Sequence, residues 1–90
     1  MSTSADAVLG RYRRLKDSIT KIALDFSRVP YLNSSGIGLV IQLLIAAGKM
    51  QQTVVCFGLS AHFAKVFTLL GLAKYTTLYS DEASALAALA

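Results

Sequence analysis

The sequence predicts an α/β fold, a small, mainly parallel sheet with helices packed against it, and three observations point there. Runs with helical and with strand-like hydrophobic spacing alternate in the order α-β-α-β-α-β-α. The central strand-like run, Thr53 to Phe57, is apolar almost throughout, as in a strand buried on both faces of a parallel sheet. Serines stand where a strand gives way to a helix, and such alternation implies right-handed crossovers. The chain has 90 residues, of which 54% are hydrophobic and 16% charged, enough to form a core and too apolar for disorder. No linker, repeat or second domain interrupts it, so residues 1–90 are expected to form one domain.

Each element has its own warrant. Ala5 to Lys16 carries Val8, Leu9, Tyr12 and Leu15 at helical spacing with arginines between them, an amphipathic helix inside an N-terminal helix region, 1–18. Lys21 to Phe26 reads as a strand. Pro30 then breaks the chain, because its ring fixes φ and pushes Val29 toward extended geometry. A second helix is expected from about Ser34 to Gly48, and a second strand from Thr53 to Phe57. Gly58-Leu59-Ser60 turns that strand into a third helix, with Ser60 as N-cap and Phe63, Val66, Phe67 and Leu70 on one face before Gly71 ends it. A short strand from Tyr75 to Leu78 follows. Ser80 is expected to cap a last helix, with Asp81 and Glu82 in its first turn and Leu86 and Leu89 as its apolar anchor.

Composition excludes several functions. The formal charge is +4, but Arg11, Arg13, Arg14 and Lys16, four of the nine basic residues, form the wet side of one helix rather than a stripe interleaved with aromatics. No nucleic-acid binding is expected. Cys56 is the single cysteine, which leaves no disulfide framework and no metal-ligand pair, and fits a reduced, cytoplasmic compartment. Ser2 to Asp6 is polar and lacks the features of a signal peptide. The longest apolar stretch, Ile37 to Ala47, falls short of the about 20 residues that cross a bilayer. No direct membrane insertion is expected. His62 is alone and expected to be exposed in a helical first turn. Gly36-Ile37-Gly38 lacks the third glycine of a dinucleotide loop, and no cofactor is implied.

The most informative stretch is Leu32-Asn33-Ser34-Ser35-Gly36-Ile37-Gly38, which opens the second helix after a strand. At a helix N-terminus the first N–H groups lack intrahelical partners and the dipole end is positive, so negative charge is tolerated there. With Asn33 as cap, Ser34 and Ser35 fall in the first turn near water. By themselves the serines fit a capping role. Asp25, at the end of the preceding strand, either orients this turn or is a solvated loop carboxylate. No general base adjoins the serines, which argues against a hydrolase or any other enzyme.

The second helix is apolar on two sides. Ile37, Val40, Ile41 and Leu44 cluster on the face expected to meet the sheet, while Leu39, Leu43 and Ala46 lie opposite, beside Gln42. An exposed ridge of Leu39 and Leu43 next to the serine turn predicts a partner-binding or self-association surface. The alternative is a face permanently covered by the missing N-terminal segment or by a subunit.

Four stretches in order resemble a STAS domain of the anti-sigma factor antagonist type, the best-matching portion being 19–90. Leu24-Asp25-Phe26-Ser27 resembles the family's D-L-S end of strand, and Asn33-Ser34-Ser35-Gly36-Ile37-Gly38 its D-S-S-G-L-G. Phe67-Thr68-Leu69-Leu70-Gly71-Leu72 resembles its helix ending in a G-L step, and Asp81-Glu82-Ala83 precedes the final helix as in the family. The resemblance implies that Ser34 is the serine phosphorylated by an anti-sigma factor with serine kinase activity, Ser35 its hydroxyl neighbour, and Gly36 and Gly38 part of the turn. It further implies that the unphosphorylated antagonist binds that kinase-like partner and frees a sigma factor, that phosphorylation reverses binding, and that a phosphatase restores it. Transcription regulation is the implied role, with no catalytic group in the antagonist itself.

Two departures stand out. Asn33 occupies the place of the family's aspartate, so the site carries one negative charge fewer. Members usually begin with two strands ahead of the first helix, and this sequence begins at that helix. The fold expected is therefore STAS-like without the family's first two strands: a fragment, a mis-started reading frame, or a short form that completes its sheet as a homo-oligomer. A second role compatible with the same resemblance is a STAS docking subunit of a membrane transporter or signalling assembly, without serine phosphorylation.

Overall fold

Alternating side chains give a strand two faces, and in this protein both are covered by helices. The structure, a computed structural model, describes residues 3–29 and 31–90, with side chains from 9 onward. The break expected at Pro30 and the apolar side chain of Val8 lie outside the described residues. Helix α1 (Thr3–Leu15) leads to strand β1 (Lys21–Asp25), helix α2 (Ser34–Lys49), strand β2 (Thr53–Phe57) and helix α3 (Ala61–Leu69). A 3₁₀ turn (Leu72–Lys74), strand β3 (Thr77–Tyr79) and helix α4 (Glu82–Leu89) complete it. The expected alternation is present element by element.

The sheet is parallel, ordered β1-β2-β3, with Lys21 opposite Thr53, Asp25 opposite Phe57, and Phe57 in turn opposite Tyr79. Leu24, Val54 and Cys56 face a core built with Leu9 and Tyr12 of α1, Val40, Leu43, Leu44 and Ala47 of α2, and Phe63 and Phe67 of α3. Val55 and Phe57 point the other way and meet Ala85 of α4. Successive crossovers of one hand produce such an arrangement, with α2 and α3 on the same face. Phe67 is fully buried and meets Phe26 edge to face at 5.8 Å between ring centres. Among the described residues Thr76 is a buried polar side chain, its hydroxyl donating to the carbonyl of Val54 at 3.0 Å and lying 3.4 Å from Cys56 Sγ.

The expected exposed ridge on α2 is corrected. Leu43 is 2% exposed and belongs to the core, and Leu39 and Ala46 are half-buried. The reason is α1, whose own apolar stripe needs a surface: Leu9 and Tyr12 pack in the same cluster as Leu43. Both sides of α2 are thus apolar because both are covered, one by the sheet and one by α1. Gln42 stays exposed and accepts a hydrogen bond from Arg13 Nη2 at 3.3 Å. Gln52 fastens the same C-terminal end of α1. Its Oε1 accepts from the Tyr12 hydroxyl at 2.7 Å, and its Nε2 donates to the carbonyls of Lys16 and Ile19.

Other expectations shift by a residue or two for local reasons. Ser60 caps α3 as expected, its hydroxyl accepting from Phe63 N, but the buried stripe stops at Phe67 and Leu70 is 51% exposed. Gly71, at φ 77°, then starts the 3₁₀ turn, whose C-cap is Tyr75, the residue expected to begin the last strand. That strand runs Thr77–Tyr79 instead. Asp81, not Ser80, caps α4, because its carboxylate accepts from Ser84 N at 2.8 Å more strongly than a hydroxyl would. This bond holds the Asp81 carboxyl below its ordinary pKa. Ala85 and the half-buried Leu89 anchor α4, four residues apart on one face, and Leu86 is left 50% exposed.

Candidate functional site at the start of α2

Asn33 has extended backbone, and its side-chain Oδ1 accepts from Gly36 N at 2.7 Å while its carbonyl accepts from Ile37 N at 3.0 Å. The cap predicted from the sequence is therefore made. Ser34 and Ser35 take the first two positions of α2, both exposed, and no acidic residue stands in that first turn. A helix of 16 residues ends here with its unpaired N–H groups and positive dipole end toward solvent. Chemically the position suits added negative charge on a hydroxyl.

The glycines differ from the turn role the resemblance implied. Gly36 is buried and Gly38 half-buried, and both are helical rather than part of the turn. The glycine that the local geometry demands is Gly58, just after β2, at φ 80°. A Cβ there would come within 2.7 Å of Ser27 N and 2.8 Å of Ser27 Cα, so only glycine lets the two loops touch.

Asp25 organises that contact. Its Oδ1 accepts from Ser27 N at 2.8 Å and from Ser27 Oγ at 2.6 Å, the self-bonded turn typical of Asp. The Ser27 hydroxyl, then its N–H, hold the exposed carboxyl below its ordinary pKa. Of the two roles open for Asp25, the hydrogen bonds are those of an exposed loop carboxylate bonded to Ser27. Its partner is Ser27, a residue singled out only as part of a motif.

Tyr31, two residues before the cap, was missed by sequence reasoning. It is 72% exposed, and its ring meets Phe63 of α3 at 5.9 Å, edge to face. The available signal was an aromatic between Pro30 and the buried Leu32. His62 is exposed as expected, its ring 4.8 Å from that of Phe63. Leu43 is drawn into the interior and Leu39 and Ala46 are half-buried against the core, whereas Gln42 is exposed.

Fold and site together define a small α/β domain that presents a serine-bearing helix start to solvent. The family model described as "Mlab, STAS domain" matches residues 2–80, and the chain belongs to the STAS domain family. No curated protein matches it. The three-stranded parallel sheet with four helices among the described residues is consistent with that fold. Among the described residues no helix is long and apolar enough to cross a membrane.

Proposed function

We propose that this chain is a partner-binding switch of the anti-sigma factor antagonist kind, with Ser34 as the phosphoacceptor. The observation that carries this reading is the exposure of Ser34 in the first turn of a capped helix with no carboxylate beside it. A phosphate there is accepted by the helix end and adds a charge near −2 that a docked apolar or acidic surface rejects. The family's usual setting supports it. The partner is an anti-sigma factor with serine kinase activity, opposed by a phosphatase. Asp25, Asn33, Ser35, Gly36 and Gly38 form the neighbourhood of the switch, and Tyr31 and Gln42 lie on the docking surface around it. The chain itself contributes recognition, not catalysis.

Intact-mass measurement after incubation with ATP and the cognate kinase, together with affinities of three forms, tests the switch. Ser34→Ala is expected to bind the kinase-like partner and stay unmodified. Ser34→Asp is expected to bind poorly although folded, since a first-turn carboxylate favours the helix dipole. Phosphate on Ser35 or nowhere, with Ser34→Asp binding like the parent, would overturn the reading. One observation favours a docking subunit of a membrane transporter or signalling assembly instead: the neutral Asn33 side chain is spent on the cap. That role predicts binding indifferent to charge at Ser34.

A further inference from the structure

In a parallel pair, a residue's N–H and C=O point to one side, and the side alternates along the strand. Phe26 N donates to Phe57 O, and Thr20 O accepts from Thr53 N, so Thr20, Ile22, Leu24 and Phe26 turn their backbone groups toward β2. Lys21, Ala23 and Asp25 therefore turn theirs outward. β1 is the end strand of the sheet, and among the described residues no strand pairs with that outer side.

The side chains of this edge are self-complementary. Lys21 and Asp25 are exposed, lie at opposite ends of β1, and are equidistant from Ala23. An open cavity of about 230 Å³ runs beside the edge, lined by Ile22 and Leu24 of β1, Arg11, Tyr12 and Leu15 of α1, and Leu43.

We propose that the outer edge of β1 pairs antiparallel with β1 of a second copy of this chain, about a two-fold axis at Ala23. In that register Ala23 exchanges both its outward hydrogen bonds with Ala23 of the second copy, and Lys21 exchanges both of its own with Asp25. Directly opposite residues share a face, so each Lys21 ammonium meets an Asp25 carboxylate and each Ile22 meets a Leu24. The aliphatic pair lies on the cavity side and covers it. A lysine on a free edge normally discourages pairing. Among the described strands of this chain, β1 alone, reversed, answers it with a carboxylate in register. The contact is isologous and closes, which limits it to a dimer with one continuous sheet. The reading is independent of any role for Ser34.

Sedimentation equilibrium of the 90-residue chain across a wide dilution series tests it. The parent is expected to show a concentration-dependent monomer–dimer equilibrium. Ala23→Pro is expected to be monomeric with unchanged circular dichroism, because the N–H it removes points away from β2. Lys21→Asp and Asp25→Lys, each alone, set like charges opposite one another and are expected to weaken self-association by about tenfold or more. An equal mixture of these two variants restores both oppositely charged pairs and is expected to recover dimer. Weakening in each variant alone together with that recovery identifies the antiparallel register, since a parallel pair would already set like charges opposite in the parent, and decides the matter if Ala23→Pro does not fold. A parent that remains monomeric, a dimer insensitive to the edge substitutions, or a mixture that fails to recover would each overturn the proposal.

Discussion

Gly38 sits in the second turn of α2 with no atom within 4 Å of where a Cβ would stand, among the described residues. Glycine inside a helix costs about 0.5–1 kcal/mol relative to alanine, and no crowding within this chain compensates. Under the proposed function, close approach of a docked partner would account for it. Gly38→Ala is thus expected to raise unfolding free energy by about 0.5–1 kcal/mol while weakening partner binding, as read by denaturant melts and titration calorimetry. A gain in stability with unchanged binding would remove Gly38 from the docking surface. At this scale local chemistry was largely readable: Asn33 and Ser60 stand where capping rules put them, whereas the cap expected at Ser80 falls one residue on, at Asp81. The Gly58–Ser27 approach was not, since it joins loops that only the folded sheet brings together.

Helix α1 shows why periodicity identifies an element without locating its partner. Its stripe of Leu9, Tyr12 and Leu15 and the ridge on α2 were both visible as apolar faces, yet spacing alone does not say that one covers the other. The joining contacts, Tyr12 and Gln52 among them, span long sequence separations. Burial of Leu43 at 2% reverses what its replacement does. Leu43→Lys, placed on an exposed ridge, would spare the fold; placed between α1, α2 and β1, it buries an unpaired charge and removes core volume. The expected loss is about 3 kcal/mol or more, visible in urea melts. Gln52→Ala, by contrast, releases the end of α1 and leaves the carbonyls of Lys16 and Ile19 to water. Faster amide exchange confined to α1 is its expected signature.

Across the whole molecule, the α/β class was legible because alternation of strand and helix periods leaves few ways to cover a small parallel sheet. Register, strand ends and the pairing of helices were not, being set by contacts between distant residues. The buried thiol at the centre of β2 gives that packing a measurable pH dependence. Burial beside Thr76 pushes Cys56 from an ordinary value of 9.0 up to about 11. Below the lower value both folded and unfolded chains hold the proton, and the full stability is present. Between the two, the unfolded chain ionises while the folded one does not, so the unfolded state is favoured increasingly as pH rises. The decline amounts to roughly 2–3 kcal/mol once the upper value is passed, at about 1.4 kcal/mol for each pH step. Tyr12, whose hydroxyl is also raised by desolvation and then by Asp17, adds a further loss at high pH. Cys56→Val separates the two: it removes the thiol, while Thr76 keeps its bond to the Val54 carbonyl. Urea melts of parent and variant from neutral pH to pH 11 are expected to diverge above the thiol's ordinary value, the parent falling faster. Parallel curves would mean that Cys56 ionises as readily inside the fold as outside it, and that the core around β2 is open to water.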